Sequence, residues 1–177
     1  FGVDHMRSAV IASGAILHYL DITNHTRTSH IAALSRIDED HYVRLDNFTI
    51  RNLELTESMG ADGKSLLDVL DRTVTPMGAR MLRRWLLFPL KDVAAINSRL
   101  DVITEFMRQP DMRDELSESL SSIGDMERLT GKVAVGRVSP RELNQLSQAL
   151  SLVEPLKAAC SASSDATLQA IGAQLNP

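Results

Sequence analysis

Residues 60–65 hold the residue types that a nucleotide-binding loop uses. Their sequence is Gly-Ala-Asp-Gly-Lys-Ser, and a predicted helix follows. A phosphate-binding loop needs another glycine five residues before the glycine of Gly-Lys-Ser, because enough backbone amides must wrap around the phosphates. Here that position is Ser58, and no apolar run ending in an acidic residue follows to hold magnesium. The segment is therefore predicted to be an ordinary turn leading into a helix, with a small stand-alone nucleotide hydrolase as the alternative.

His25 and His30 are the histidines whose spacing could suggest a metal site. They lie in a polar stretch without cysteine, and no second pair at zinc-ligand spacing accompanies them. Scattered surface histidines are the favoured interpretation. No nucleophile lies in a recognisable catalytic turn either. The sequence therefore predicts no catalytic, cofactor-binding or metal-binding residue in this chain.

Arg80, Arg83 and Arg84 are predicted to share one face of a helix. Such a face can contact phosphates or an acidic partner. However, the formal net charge of the chain is −4, and no aromatic residues alternate with these arginines to stack on bases. The favoured interpretation is a solvated face whose arginines pair with acids such as Asp68, Asp71 and Asp92.

The composition is that of a globular domain built from aliphatic residues. Hydrophobic residues make up 44% of the 177 residues and aromatic residues only 4%, which favours helix packing over a β-sandwich. Cys160 is the only cysteine, so an internal disulfide is excluded and a reducing, cytoplasmic compartment is expected. No apolar run approaches the ~20 residues of a membrane span, so no membrane association is expected. The chain begins with Phe1 rather than methionine and is interpreted as a fragment.

Helix signals dominate after Ser65. Thr75-Pro76 and Ser139-Pro140 each place a capping hydroxyl before a proline at the first helical position, and Glu142 completes a capping box. Asp92 is predicted to cap the helix that follows Pro89. Between and beyond them, apolar residues recur at the three- and four-residue spacing of amphipathic helices. These residues are Met81, Leu82, Trp85 and Phe88; Ile96, Leu100, Ile103 and Met107; Met112, Leu116 and Leu120; Met126, Leu129 and Val133; and Leu143, Leu146, Leu150 and Val153.

The part of the chain before Ser65 is less regular. Residues 3–20 are predicted to form a helix, and residues 21–40 a polar connecting segment. Two short runs, residues 41–46 and 52–56, are rich in strand formers and are predicted to pair as a small β-element. The predicted fold class is therefore mainly α: a helical bundle with a small β-element near residues 41–56.

Three stretches of the sequence resemble the MutS family of DNA mismatch-repair proteins. Residues 45–55, with Leu-Asp near the start and Asn-Leu-Glu near the end, are similar to one family stretch. Residues 65–90, which contain Thr-Pro-Met-Gly-Ala-Arg and Arg-Arg-Trp-Leu, resemble the signature of the family's core domain. Gly-Asp-Met-Glu-Arg at residues 124–128 continues the pattern. The combination covers residues 45–150 and is highly specific.

The resemblance implies a domain assignment and a role. Residues 1–40 correspond to the end of the connector domain and the linking segment, and residues 41–177 to the first part of the core, or lever, domain, truncated before the clamp. In the family, the levers relay the nucleotide state of the ATPase to the DNA-gripping parts. The implied role is thus that of a structural and allosteric core segment in a bacterial mismatch-repair protein. The equivalent core of a family member acting in recombination is an alternative.

The resemblance also implies which partners and cofactors belong to the full-length protein. The partners are the ATPase, connector and clamp domains, mismatched duplex DNA and a MutL-type protein. ATP and magnesium are bound elsewhere in the family, so this chain, which lacks the complete nucleotide loop, is expected to be non-enzymatic and to hold no cofactor. No catalytic or base-reading residue of the family can be carried over onto it.

Five residues of the resembling stretches form a predicted structural signature. Gly78 lies inside a helix, where glycine costs about 1 kcal/mol relative to alanine, so a close helix–helix approach is expected there. Trp85 is expected to be largely buried. The amide of Asn52 is expected to tie the backbone of the following turn. Arg80 belongs to the arginine face, and Pro89 is expected to end its helix.

Overall fold

The computed structural model describes residues 6–23, 28, 31 and 41–176, and this part of the chain is mainly helical. The predicted connecting segment, with His25 and His30, falls almost entirely outside the described residues. The helices are α1 (Arg7–Ile22), α2 (Asn47–Asn52), α3 (Leu66–Leu70), α4 (Pro76–Leu87), α5 (Val93–Arg108), α6 (Pro110–Ile123), α7 (Met126–Ala134), α8 (Pro140–Ser151), α9 (Val153–Ala162) and α10 (Ala166–Gln174).

Side-chain caps fix where most of these helices begin. The Thr75 hydroxyl accepts a hydrogen bond from the Gly78 amide at 2.9 Å, and Pro76 follows at the first helical position of α4. The Asp92 carboxylate caps α5 through the Ala95 amide at 2.8 Å. A side-chain oxygen at this position satisfies an amide that has no partner inside the helix. The helix starts predicted from Thr75 and Asp92 are thus confirmed.

The predicted β-element near residues 41–56 is wrong. Within the described residues, this region contains α2, which begins where the Asp46 carboxylate accepts a hydrogen bond from the Thr49 amide at 2.7 Å. Extended pairing is limited to an isolated antiparallel bridge between Tyr42 and Leu90, beside which the Val43 amide donates to the Pro89 carbonyl. A capping side chain offers the backbone a helical alternative to a strand ladder, and here the helix forms.

The hydrophobic core lies in the C-terminal bundle. Its buried members come from α6, α8 and α9, and Met77, Phe106 and Met126 pack against them from the other helices. These buried members are Leu116, Ile123, Ala149, Leu156 and Cys160. Burial raises the pKa of the Cys160 thiol, which therefore keeps its proton at neutral pH.

Helices α9 and α10 pack against each other, and Gly172 permits their close approach. A Cβ atom at Gly172 would lie 2.7 Å from Ser161 Oγ and 3.1 Å from the Ser161 backbone nitrogen. Glu105 of α5 is 5% exposed and accepts hydrogen bonds from the Ser164 hydroxyl at 2.7 Å and the Ser163 hydroxyl at 3.4 Å. These bonds, together with one from Gln109, lower the pKa of Glu105. The turn between α9 and α10 is thereby fixed to α5.

The helix predicted to run from Ser139 through Val153 is interrupted at Leu152. That residue is the C-cap of α8 and the N-cap of α9, with φ −86° and ψ −9°. The apolar residues of the predicted amphipathic stretch are not all buried. Leu146 and Val153 are buried, whereas Leu143 and Leu150 are exposed. None of the described helices is both long enough and apolar enough to cross a membrane.

Candidate mechanical site: the Arg80 clamp

Arg80 of α4 holds two carboxylates at the start of α7. Its Nη2 and Nη1 atoms donate to the two oxygens of Asp125 at 2.8 and 3.0 Å. Its Nε and Nη2 atoms donate to Oε2 of Glu127 at 3.0 and 2.6 Å. One planar guanidinium therefore makes four charge-assisted hydrogen bonds, which restrict orientation as well as distance. We call this cluster of Arg80, Asp125 and Glu127 the Arg80 clamp.

The backbone at the start of α7 places the two acids for this contact. Gly124 ends α6 with φ +70° and ψ −149°, a conformation that favours glycine. Asp125 then caps α7 by accepting a hydrogen bond from the Arg128 amide at 3.2 Å. Negative charge near a helix N-terminus is favourable. The hydrogen bonds from Arg80 lower the pKa of Asp125, so the carboxylate is ionised at neutral pH.

The clamp connects two helices that pack mainly on different neighbouring helices, although Met77 of α4 and Met126 of α7 both contact the hydrophobic core. Helix α4 packs on α3, and α7 packs on α8. Asp125 and Glu127 lie 45 and 47 residues after Arg80 in the chain. The clamp is therefore a side-chain link between the α3–α4 unit and the α7–α8 hairpin, which is held in turn by an ion pair between Lys132 and Glu142.

A second link joins α4 to α5 through Trp85 and Arg99. The Arg99 guanidinium carbon lies 3.7 Å from the centroid of the indole ring, a cation–π contact. Trp85 is 43% exposed, so the expectation that it is largely buried is wrong. Trp85 is not among the residues that pack against the hydrophobic core, and the face of its ring is covered by the Arg99 guanidinium of the next helix.

Glu54 organises the turn between α2 and α3. It is a non-glycine residue with φ +47°, a costly conformation for an L-residue. In this conformation, its Oε1 atom accepts hydrogen bonds from the Met59 amide at 2.7 Å and the Ser58 hydroxyl at 3.5 Å. Its carbonyl accepts from the Leu66 amide at 2.9 Å. Glu54 therefore connects the end of α2 to the beginning of α3.

The turn formed by residues 60–65 uses its backbone amides internally. The Gly60 amide donates to the Ser58 hydroxyl, and the Gly63 amide donates to the Gly60 carbonyl. The Ser65 amide donates to the Asp68 carboxylate, as part of the capping box that begins α3. A phosphate loop needs free, convergent amides. The prediction of an ordinary turn leading into a helix is confirmed, and this geometry does not favour the nucleotide-hydrolase alternative.

Comparison with known proteins identifies the family of this chain. Residues 48–175 match the family model described as MutS domain III. The chain belongs to the MutS family. The resemblance noted in the three stretches of sequence is thus confirmed, and the arrangement described above is that of a MutS domain III segment.

Curated MutS relatives match the chain along its whole length. The DNA mismatch repair protein MutS of Parabacteroides distasonis is 59% identical over 176 residues, which are 99% of this chain and 20% of that protein. The proteins of the same name from Bacteroides thetaiotaomicron and Cytophaga hutchinsonii are 57% and 42% identical, again over 99% and 100% of the chain. The chain spans about a fifth of the length of these relatives.

The structure places two residues of the predicted MutS signature, Gly78 and Asn52, differently from expectation. The close neighbours of Gly78 are Thr75 and Thr73, since a Cβ atom there would lie 3.0 Å from Thr75 Oγ1 and 3.4 Å from Thr73 Cβ. The expected helix–helix approach is therefore wrong, and Gly78 instead makes room for the capping turn of its own helix. Asn52 is exposed at the end of α2, and Glu54 ties the turn that was expected to be tied by Asn52.

Pro89 lies where the sequence predicted it, whereas Arg80 pairs with acids other than the predicted ones. Pro89 follows the C-cap of α4, as predicted, and its carbonyl accepts the Val43 amide at 2.7 Å. Arg80 pairs with acids, but not with Asp68, Asp71 or Asp92. Those three carboxylates instead bind Ser65, Thr73 and the Ala95 amide, respectively. The actual partners belong to the Gly-Asp-Met-Glu-Arg stretch of the MutS resemblance, which was the signal available in the sequence.

Proposed function

We propose that this chain is a mechanical, non-catalytic core segment of a MutS-type mismatch-repair protein, in which the Arg80 clamp transmits force between two groups of helices. One group is α3 and α4, and the other is the bundle that contains α7 and α8. The observation that carries the proposal is the clamp itself. It joins helices that are distant in sequence and that pack mainly on different neighbouring helices.

The exposure of the clamp supports a role in motion rather than in stability. The side chains of Arg80 and Glu127 are 48% and 70% exposed, whereas that of Asp125 is 20% exposed. Solvent-exposed ion pairs contribute little to folding stability, because water and salt screen them. Four hydrogen bonds from one rigid guanidinium nevertheless define a single relative orientation of the helices. Such a link can break and re-form at modest cost, which suits an element with two discrete arrangements.

The wider role follows from the MutS family as part of the same proposal. Residues 1–40 belong to the end of the connector, and residues 41–177 to the first part of the lever core. The segment relays the state of an ATPase elsewhere in a cytoplasmic protein to its grip on mismatched DNA, with a MutL-type protein as a further partner. ATP and magnesium are bound outside this segment. The name that these relatives share, DNA mismatch repair protein MutS, favours mismatch repair over recombination.

The proposed relay is tested in a chimera in which this chain replaces the matching fifth of the MutS protein of Parabacteroides distasonis. In this chimera, Arg80→Gln is compared with Arg83→Gln, which changes an exposed arginine on the same helix. We expect Arg80→Gln to leave basal ATP hydrolysis and the melting temperature nearly unchanged. It should reduce the change in ATP hydrolysis that mismatched duplex DNA produces, whereas Arg83→Gln should not. Equal coupling in both variants would contradict the proposed role of the clamp.

A further inference from the structure

Asp62 and Gly63 form the only Asp-Gly pair in the chain, and the sequence contains no Asn-Gly pair. An aspartate that precedes a glycine can react with its own backbone. Because glycine has no Cβ atom, little hinders the approach of the Asp62 carboxyl group to the Gly63 nitrogen. Every other aspartate of the chain is followed by a residue that carries a side chain. Asp62 is thus the aspartate whose neighbouring amide is least hindered.

The structure leaves the Asp62 carboxylate free and open to water. Residues 60–64 are exposed, and Asp62 lies in a turn closed by a hydrogen bond of 3.1 Å from the Gly63 amide to the Gly60 carbonyl. Among the described residues, the Asp62 carboxylate has no hydrogen-bond or ion-pair partner. The Asp125 carboxylate, by contrast, is occupied in capping α7. An unengaged carboxyl group therefore lies beside an unhindered amide in an exposed turn.

The Ser58 hydroxyl restrains this turn. It accepts a hydrogen bond from the Gly60 amide at 3.2 Å, and the Gly60 carbonyl oxygen lies 3.2 Å from the same hydroxyl oxygen. The contact with Gly63 is also tight, since a Cβ atom there would lie 1.9 Å from Ser58 Oγ. The Gly63 nitrogen is thereby held against Gly60, and the turn must open before this nitrogen can reach the Asp62 carboxyl group.

We propose that Asp62 is the site at which this chain converts spontaneously to isoaspartate, and that the Ser58 hydroxyl slows the conversion. In the first step, the Gly63 nitrogen attacks Cγ of the protonated Asp62 carboxyl group. A bond forms between this nitrogen and Cγ, and the bond between Cγ and the hydroxyl oxygen breaks. The amide proton leaves with that oxygen as water, and the product is a cyclic succinimide.

Water then opens the succinimide at one of its carbonyl carbons. Attack at Cγ restores the aspartate. Attack at the backbone carbonyl carbon of Asp62 breaks the bond from that carbon to the Gly63 nitrogen and leaves a carboxylate on it. The main chain then runs through Cβ and Cγ of residue 62. The water released in the first step is matched by the water consumed in the second, so mass and charge are unchanged.

The consequence of the conversion is local. The main chain gains one methylene group inside the turn, which the short bond between Gly63 and Gly60 no longer fits. The altered residue lies in an exposed turn before α3, away from the hydrophobic core. The proposal also involves no residue of the Arg80 clamp, so it can fail or succeed independently of the relay function.

Tryptic mapping of the aged 177-residue chain tests the proposal. Trypsin releases residues 52–64, in which Asp62 is the only aspartate, and residues 100–108, in which Asp101 is the only aspartate. Asp101 is exposed on α5 and precedes Val102, so it is the matched internal control. The chain is incubated at physiological pH and temperature. The aspartate and isoaspartate forms of each peptide are then separated by chromatography and identified by electron-transfer fragmentation.

We expect isoaspartate to accumulate roughly tenfold faster at Asp62 than at Asp101, because Gly63 lacks the Cβ atom that hinders the attack. Asp62→Glu keeps the charge but would have to close a larger ring, so its 52–64 peptide should remain a single species. Similar rates in the two peptides of the unsubstituted chain, or no isoaspartate at Asp62, would overturn the assignment of this site.

The restraint by Ser58 is tested separately. Ser58→Ala should accelerate the conversion at Asp62 by roughly threefold or more, towards the rate in a synthetic peptide of residues 52–64, because the turn then opens more often. Ser121→Ala, which removes an exposed hydroxyl from α6, should leave the rate unchanged. The restraint would be refuted by equal rates in Ser58→Ala and the unsubstituted chain, or by an unsubstituted chain that reacts as fast as the peptide.

Discussion

The guanidinium of Arg80 and the carboxylate of Asp125 face each other through two parallel hydrogen bonds of 2.8 and 3.0 Å. Asp125 at the same time caps α7 through the Arg128 amide. The residue that begins α7 is thus also the residue that α4 holds. The contact with α4 therefore lies at the first turn of α7, where the helix dipole also favours the negative charge.

Glu142 should make the stability of the chain sensitive to acid. Its carboxylate accepts from the Ser139 amide at 3.0 Å and the Ser139 hydroxyl at 3.1 Å, and it forms an ion pair with Lys132. These contacts lower its pKa from 4.5 to about 2. Because the folded-state pKa is depressed, the stabilisation is fully present above pH 4.5 and is lost as the pH falls towards 2.

Urea denaturation at several pH values measures this effect. We expect the unfolding free energy of the unsubstituted chain to fall between pH 4.5 and 2 more steeply than that of Glu142→Gln. Ser139→Ala, which removes the capping hydroxyl, should cost about 1 kcal/mol at neutral pH. Parallel pH profiles of the unsubstituted chain and Glu142→Gln would contradict the assigned role of Glu142.

Two helical glycines should respond to alanine in opposite directions. Gly131 of α7 has open space where a Cβ atom would lie, so Gly131→Ala should stabilise the chain by about 0.5–1 kcal/mol. At Gly172 the Cβ atom would lie 2.7 Å from Ser161 Oγ and 3.2 Å from Cys160 Cβ. Gly172→Ala should therefore destabilise the chain by about 1–3 kcal/mol, because α9 and α10 must move apart.

Thermal and urea denaturation of the two glycine variants check this prediction. Each glycine serves as the other's control, since the residues exchanged are identical and only the surroundings differ. A gain in stability for Gly172→Ala would show that the contact between α9 and α10 is looser than the structure describes.

Trp85 should contribute less to stability than a core residue does. It is 43% exposed and is covered on one face by Arg99. We expect Trp85→Ala to cost about 1 kcal/mol, a typical value for point substitutions. Leu156→Ala, in the core, should cost about 2–5 kcal/mol. Chemical denaturation compares the two variants, and a larger loss for Trp85→Ala would place the indole inside the fold.

Fluorescence gives an independent measure of Trp85, the only tryptophan of the chain. Acrylamide should quench its emission readily, because much of the ring is open to solvent. Arg99→Ala should increase the quenching further, since the guanidinium no longer covers the ring. Arg108→Ala, which changes an exposed arginine on the same helix, should leave the quenching unchanged.

The 177-residue chain is expected not to bind ATP. The amides of Gly60, Gly63 and Ser65 are engaged within the turn, so they are not available to surround a phosphate. Lys64 is exposed, and Lys64→Ala should leave stability nearly unchanged. Titration calorimetry with ATP and magnesium measures binding. Micromolar binding that is lost in Lys64→Ala and retained in Lys91→Ala would instead support the nucleotide-hydrolase alternative.

Local signals in the sequence were sufficient for much of the fold. Thr75, Asp92 and Ser139 each cap a helix where predicted, because a cap depends on a few adjacent residues. The prediction of a small β-element was wrong because it rested on a weaker local signal. Short alternating runs are a weak strand signal, and the cap at Asp46 starts a helix there instead.

Contacts between residues that are distant in the sequence could not be predicted from local patterns. The apolar spacing of Leu100 and Ile103 is that of an amphipathic helix, but spacing alone does not say which stripe faces the core. In the structure, the buried side of α5 carries Glu105 instead. Similarly, Arg80 was predicted to be paired, but its partners lie 45 and 47 residues away. Local spacing contains no information on such a contact.

The junction at Leu152 has a consequence for how the sequence can vary. Because this one residue ends α8 and begins α9, there is no loop between the two helices to absorb an insertion. One added residue would turn all later side chains of α9 by about 100° around the helix axis. Leu156 and Cys160 would then leave the core, whereas an added residue in the exposed turn at residues 60–63 would only lengthen a surface loop. Insertions should therefore be tolerated in the turn at residues 60–63 and rejected at the α8–α9 junction.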